Sequence, residues 1–544
     1  MMQRRQFLGI SGALGTATSG LFASCEMRQG QAIALPPGEL LGPDLKLGHR
    51  LRTGDFPKVS ASRKVGVLIV GGGIAGLSAA WQLTKQGITD WELVELEEQL
   101  GGNARAGRNA VSAHPWGAHY LPLPTREATQ LRSMLADLDV LHGDPQAVLP
   151  QYDETMLVHA PQERLYINGL WQESLWPRQG VAQRELDQYK RFEELALKLR
   201  NSVGADDKRA FASPSALASR DPQFTRLDQL SFAAWLTEQG FDSPNLHWIA
   251  DYATRDDFGT RAAQCSAWAG IHYFACRDGQ ALHAEPHSVL TWPEGNGFLI
   301  RKLEEWLLAK RSGTITRRSL CSKLLRQAGH CDVELYDATS DTTTAVRADR
   351  VIWAAPAFVL VSVWANAPPE FAPAQASIDT APWLVANLTL SEPPYDLGPA
   401  GLAWDNVLFE SNALGYVIAN HQQIRVRQQG PVVLTYYLPL AHLAPKAARQ
   451  ALFTTPHAQW AEQILRELAI PHPTIRQLTQ RIDLWRWPHA MPRPTPGFLS
   501  SPARRMLEEL SGALVFGHSD VSGLSLFEEA HATGVRAART GLAG

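Results

Sequence analysis

From Val65 the chain reads VGVLIVGGGIAGLSAAWQL: an apolar, β-rich run, a cluster of glycines, then a stretch with Leu77, Ala80 and Leu83 at helical spacing. This order predicts a strand, a tight turn and a helix. Gly71, Gly73 and Gly76 form G-x-G-x-x-G, in which the first glycine permits the turn, the second lets backbone approach a pyrophosphate, and the third lets helix and strand pack closely. Phosphates would then sit on the positive helix N-terminus, against Ile74 and Ala75. A second strand, WELVEL from Trp91, ends at Glu95 and Leu96, where a carboxylate is placed to bind a ribose diol. Glycines alone often make only a turn; the strand-helix-strand-acid series points to an α/β, Rossmann-like dinucleotide-binding domain.

A chain of 544 residues exceeds one ordinary domain. With 45% hydrophobic and 19% charged residues it is neither disordered, collagen-like nor mainly transmembrane. A formal charge of −3 gives nothing that would steer it to nucleic acid. There is no H-E-x-x-H, no G-x-S-x-G elbow and no G-x-x-x-x-G-K, so no metal is expected and no rival chemistry has comparable support. The 17 tryptophans suit a protein that holds a flat or apolar ligand, and equally suit an ordinary core.

Arg4 and Arg5 precede a mild, acid-free apolar run from Phe7 to Ser24, which resembles a twin-arginine export signal and is too weakly apolar for a stable membrane span. The resemblance implies a bacterial protein carried outside the cytoplasm already folded around a cofactor, with the twin-arginine translocase as a partner and a periplasmic or membrane-anchored destination. FASC, Phe22 to Cys25, resembles a lipobox with Phe where Leu is usual, so Cys25 is a candidate lipid anchor. The Pro/Gly-rich stretch from Pro36 to Pro57 reads as a tether or a wrapping arm. Cys321 and Cys331 could form a disulfide or remain buried thiols, as could Cys265 and Cys276 remain free.

Further motifs decide which dinucleotide. QLGGNARAG, Gln99 to Gly107, resembles the second glycine motif of flavoproteins in the amine oxidase, phytoene desaturase and protoporphyrinogen oxidase superfamily. Gly101 and Gly102 keep the pattern, Asn103 stands where an arginine is usual, and Arg105 is placed to take part of its role. ALVFGHSDVSGLSLFEEAHATGVRAA, Ala513 to Ala538, resembles the closing FAD motif of the same superfamily. There Asp520, or His518 if the register slips, would face the ribityl chain. The helix beginning near Ser525 and Phe527 would point its N-terminus at the flavin, favouring the anionic reduced form. HPWGAHYLPLP from His114 falls where the superfamily runs a strand beside the flavin ring, making Gly117, Ala118, His119 and Tyr120 ring neighbours. LTWPEGNGFLIRKLEEWLLAKR, with Trp292, Glu294 and Asn296 at its turn, resembles the return to the FAD domain. The strand from Ser319 to Leu324, through Leu320, would lie on the adenine side, and ADRVIWAAPAFVL from Ala348, stopped by Pro356, resembles the crossing back.

The resemblance implies FAD as cofactor and a Rossmann-like FAD-binding domain of glutathione-reductase type, in segments 63–120, 289–357 and 491–544. An α+β substrate domain, 121–288 and 358–490, is interleaved with it, after a signal segment 1–30 and a linker arm 31–62. Within 121–288 the amphipathic stretch Arg184 to Arg200 reads as scaffold. The implied activity is oxidation of a C–N or C–C bond of a small organic substrate by hydride transfer to flavin N5, with oxygen or a quinone as electron acceptor. His119, Trp487 and His489 are the catalytic candidates, with Trp485 beside them in LWRWPHAMPRPTPG. Two positions depart from the amine-oxidising pattern: Asn387 or Ala386 falls where a lysine is common, and Leu526 where a cage aromatic is common. These departures motivate an alternative, a flavin-binding protein of this fold that has lost turnover.

Overall fold

A parallel βαβ unit organises the first half of the molecule, and the rest of the chain returns to it twice. The structure, a computed structural model, describes residues 34–310, 312–395, 402–423 and 429–540. Arg4, Arg5 and Cys25 of the export reading lie outside the described residues.

In chain order the elements used below begin with β1 (Leu40–Leu41), α1 (Leu45–Thr53), β2 (Val59–Val70), α2 (Ile74–Lys85), β3 (Trp91–Val94) and β4 (Tyr120–Pro122). Then come β5 (Glu163–Ile167), β6 (Leu170–Glu173), α3 (Gln183–Arg200), α4 (Pro244–Phe258), α5 (Ala267–Ala275), β7 (Val289–Thr291) and α6 (Gly297–Lys310). They are followed by β8 (Thr314–Thr316), β9 (Ser319–Arg326), β10 (Cys331–Asp337), β11 (Thr342–Trp353) and α7 (Ala357–Val363). The last part holds β12 (Thr380–Leu390), β13 (Asp405–Leu408), β14 (Gly415–Ile418), β15 (Val432–Pro439), β16 (Thr479–Pro492), β17 (Leu514–Phe516) and α8 (Phe527–Arg539).

The first sheet has the order β8-β3-β2-β11-β10-β9, with β17 pairing β11. β2, β3, β8, β11 and β17 are parallel, as strands joined by helical crossovers must be, while β9, β10 and β11 form an antiparallel meander. One face buries Leu77, Trp81, Leu303 and Val535 under α2, α6 and α8. The other buries Leu68, Leu324, Leu335, Leu360 and Leu514. This two-sided burial explains the unbroken apolar runs VLIV and VIW.

The second sheet has the order β1-β16-β12-β15-β14-β13-β5-β6. Along β12 the side chains alternate: Leu384, Ala386 and Leu388 pack under the helices Pro445–Thr454 and His457–Leu468, whereas Trp383 and Val385 join Trp116, Tyr437, Trp485 and Trp487 on the opposite face. A helical layer containing α3, α4 and α5 packs around Phe192, Phe258 and Trp268. From Leu35 onward the chain makes one compact unit. Each sheet is assembled from non-contiguous segments of it.

The arm is not a free tether. β1 pairs with β16 and α1 covers Leu320 and Tyr336, and β2 begins at Val59, earlier than the boundary at 63 expected from sequence. Cys265, Cys276, Cys321 and Cys331 are buried free thiols, so the Cys321–Cys331 disulfide does not form.

Candidate functional site

The turn between β2 and α2 opens onto a cavity of about 2130 Å³. Gly71 has φ +111°, and a Cβ on Gly76 would stand 1.9 Å from the Gly71 carbonyl oxygen, so helix and strand meet backbone to backbone there. Gly73 caps α2 without a side chain, which leaves the first N–H groups of the helix bare. A Cβ on Gly73 would meet nothing nearer than Gly102 Cα at 4.0 Å, so this backbone faces open space shaped for a close-lying group. Ile74, Ala75, Gly101, Gly102 and Leu96 line the same space.

Glu95 accepts hydrogen bonds from the N–H groups of Gly72 at 2.6 Å and Glu97 at 2.9 Å. Burial raises its carboxyl above the usual range. Leu320 and Cys321 form the neighbouring wall. At the other end Asp520 accepts from the Ala357 N–H at 2.8 Å and lies 3.3 Å from His518. Burial alone would raise the Asp520 carboxyl, but His518 and the Ala357 N–H hold it below its ordinary value. Both Asp520 and His518 line the cavity, as do Ser525 and Phe527 at the start of α8. Arg105 lines it too, with its guanidinium turned back to Glu97 at 3.5 Å and over the Trp485 ring. Asn103 donates to the Ala490 carbonyl and so ties the second glycine motif to β16.

A second chamber, about 820 Å³, adjoins the first. Asn103, Ala118, Trp487, Ala490, Ser525, Leu526 and Phe527 line both. A flat group crossing this junction would present one edge to the chamber. Gly117 lies here because a Cβ would reach 2.2 Å from the Asn103 carbonyl oxygen.

The chamber's far end holds a buried charge cluster. Arg277 pairs with Asp257 and approaches the Tyr120 hydroxyl at 3.4 Å, and that hydroxyl donates to Asp256 at 3.1 Å. Asp257 Oδ2 is buried without a partner. Burial raises the Asp257 carboxyl to about 7 against the opposing pull of Arg277, and raises Glu528 to about 7 likewise. Burial also raises Asp256, and Asp405 behind it. Three carboxyls, Asp256, Asp257 and Glu528, thus line the chamber against one guanidinium, Arg277. None of the four was singled out from sequence, although the consecutive acids in TRDDFG and FEEA were visible.

Of the catalytic candidates, Trp487 stands at the junction and donates from Nε1 to the Trp116 carbonyl at 2.6 Å. His119 lines the chamber, stacked on Tyr437 at 4.5 Å between ring centres. Burial pushes its imidazole down to about 3, which favours the neutral ring over the imidazolium. His489 is elsewhere: it borders the first cavity beside Phe358 and Thr380 and does not line the chamber. Trp485 packs between Trp116 and Trp487, outside both spaces.

The residues weighed for the lysine position also have other work. Asn387 donates to the Pro115 carbonyl at 3.0 Å and accepts from Thr435 at 2.6 Å, while Ala386 faces the opposite side of the sheet. Among the described residues lining the chamber there is no lysine. Leu526 does line it, and the aromatic surface comes from Tyr120, Trp383, Tyr437, Trp487 and Phe527 instead.

Residues 69–138 match the NAD(P)-binding Rossmann-like domain family. No curated protein matches the chain in sequence. Among solved structures, cyclohexylamine oxidase from Brevibacterium oxydans is similar with a TM-score of 0.62 at 15% identity, covering 88% of this chain and 98% of its own. Putrescine oxidase bound to putrescine gives 0.62 at 16% identity, with 88% and 98% covered. A fatty acid isomerase from P. acnes gives 0.58 at 13% identity, with 87% and 97% covered. These likenesses establish a shared mixed α/β fold over nearly the whole length of those proteins.

Proposed function

We propose that the chain is an FAD-dependent oxidoreductase that oxidises the C–N bond of a small amine. The observation that carries this reading is the chamber at the end of the dinucleotide cavity, where three buried carboxyls face one guanidinium and Asp257 Oδ2 has no partner. Buried carboxylates in excess of their cations are unfavourable, and an ammonium group would supply a second cation beside Arg277. The two oxidases of similar fold are named for amines, which supports the same choice.

FAD, when bound, supplies the hydride acceptor. The uncapped first turn of α2 would hold its pyrophosphate, Glu95 a ribose diol, and Ser525 to Phe527 the ring edge. Asp257 Oδ2 is the atom placed to take the ammonium proton, because only the neutral amine can release hydride. Tyr437, Trp383 and Trp487 exclude water from the reacting carbon.

The test is anaerobic titration of the purified holoprotein with primary and secondary mono- and diamines. The flavin band at about 450 nm is expected to bleach with at least one of them. A flavin that no amine, quinol or polyene bleaches would favour the second reading, a protein of this fold without turnover, for which the lysine-free chamber is the motive. Amine kcat/KM should rise as pH passes through about 7, where Asp257 and Glu528 lose their protons, and Asp257→Asn should flatten that rise. Glu95→Ala should weaken FAD binding by at least tenfold; unchanged flavin content after dialysis would overturn the ribose assignment.

Export by the twin-arginine route, with oxygen or a quinone accepting the electrons outside the cytoplasm, is part of the same proposal and rests on Arg4, Arg5 and the apolar run to Ser24. Changing both arginines to lysine should leave the protein in the cytoplasmic fraction with its flavin. Continued export of that variant would overturn the route.

A further inference from the structure

The N-terminal arm spans the two sheets. Its first half is stitched to the edge of the second sheet. β1 runs parallel to β16 with Leu40 opposite Leu484, Ile482 N–H donates to the Pro37 carbonyl at 2.9 Å, and Glu39 N–H donates to Asp483 at 3.0 Å. Its second half is pinned to the first sheet. Asp44 caps α1 through Leu47 N–H at 2.9 Å, receives Arg318 from the turn before β9 at 2.7 Å, and donates its own N–H to Glu97, just past β3, at 2.8 Å. Leu47 is buried between Leu320 and Tyr336, and Arg50 donates to the Tyr336 hydroxyl on β10.

Between these two attachments lies the dinucleotide cavity. α1 turns Gly48, His49 and Arg52 into it, so a segment read as a linker forms part of its wall. A Cβ on Gly48 would come within 3.9 Å of Leu96, which fixes the helix close to the end of β3. The Arg52 guanidinium and the His49 ring N–H are donors that suit the anionic middle of a dinucleotide better than its adenine or its flavin ring.

We propose that Leu35–Pro57 is a strap that closes over bound FAD, contributes His49 and Arg52 to the cofactor site, and limits the rate at which FAD leaves. The proposal rests on the FAD reading above. These attachments are local to the segment, and a local segment can open without global unfolding, so the strap can release while both sheets stay folded. Because it would touch the cofactor only when closed, FAD must stabilise the closed strap to the extent that the strap stabilises bound FAD.

Two measurements on the full-length holoprotein test this. The first is FAD dissociation, followed by recovery of free flavin fluorescence after dilution, in the wild-type chain, in Asp44→Ala and in Arg318→Ala. Both variants cut the same pin from opposite sides, and Arg318 lies outside the helix, so a folding defect confined to one would be recognised by the other. Release is expected to be at least tenfold faster in each, with the absorption spectrum at saturating FAD unchanged. The second is trypsin cleavage after Lys46 and Arg52, both exposed on α1, in wild-type protein with and without FAD. FAD is expected to slow these cuts at least tenfold. FAD that binds but leaves at the same rate from all three proteins, with cleavage indifferent to FAD, overturns the strap alone. A full chain that takes up no FAD overturns the strap and the proposed function together.

Discussion

Arg277→Ala is expected to destabilise the fold by about 3 kcal/mol at pH 8 and to abolish measurable amine turnover. Removing one member of a buried ion pair leaves the other charge without compensation, a change that typically costs about 3–5 kcal/mol, and Asp257 is only 4% exposed. The effect has a definite pH dependence. The Asp257 carboxyl in the fold, at about 7, is raised above its unfolded value of 3.8, so between about pH 4 and pH 7 the folded state holds more protons than the unfolded one. Its contribution therefore falls as pH rises through that window. Arg277 opposes this; without it the Asp257 carboxyl moves higher still. The stability gap between wild type and Arg277→Ala should widen from pH 5 to pH 8 in thermal or denaturant unfolding. The double variant Arg277→Ala/Asp257→Asn should recover more than half of the loss at pH 8, because it leaves no unpaired carboxylate at that position. Equal penalties at both pH values would mean that Arg277 acts through packing alone.

Gly76→Val is expected to eliminate FAD binding and to lower stability by about 3 kcal/mol, at the upper end of overpacking penalties. The new Cβ would fall 1.9 Å from the Gly71 carbonyl oxygen, which is backbone and cannot swing aside. α2 would have to leave its strand, taking with it the N–H groups that await phosphate. Gly73→Ala separates the two functions of this turn. Its Cβ meets only Gly102 Cα at 4.0 Å, so the fold should persist while the methyl group fills the space of the pyrophosphate. Circular dichroism melts and flavin content of the two variants distinguish the cases: Gly73→Ala should melt near wild type and purify with at least tenfold less flavin.

The parts of this fold legible in the sequence are those where backbone meets backbone or ligand. Gly71, Gly76, Gly101 and Gly102 leave no unstrained substitute for glycine, and Gly73 faces the space a ligand would fill, so their spacing carries the geometry with it. Asp520 and the start of α8 were legible for a related reason, since a strand, an acidic turn and a small-residue helix are contiguous. The charged end of the chamber was not legible, although Gly117, Ala118, His119, Tyr120 and Trp487 of its lining were. Asp256, Asp257, Arg277 and Glu528 come from α4, the turn after α5 and the first turn of α8, and only the completed fold gathers them. TRDDFG reads locally as the polar face of a helix, yet Asp257 faces inward because α4 is packed on both sides. His489 was misplaced by a different route: lying two residues beyond Trp487, it shares that strand but borders the neighbouring cavity. Pro and Gly in the arm marked it as irregular without naming Asp483 and Arg318 as its anchors.

The way α8 meets α2 has a consequence for biosynthesis. His531 bonds to Ser78 at 3.0 Å across 453 residues of sequence, and a Cβ on Gly534 would lie 2.0 Å from the Ala75 carbonyl oxygen. The core around α2 is therefore closed by a helix that is synthesised long after it, with 453 residues separating Ser78 from His531. During most of translation α2 has no cover for the face that α8 will occupy, and contacts of such long range form slowly. Nascent chains should thus remain protease-sensitive and in need of a holding chaperone until α8 has emerged, and cofactor loading should follow that emergence rather than precede it.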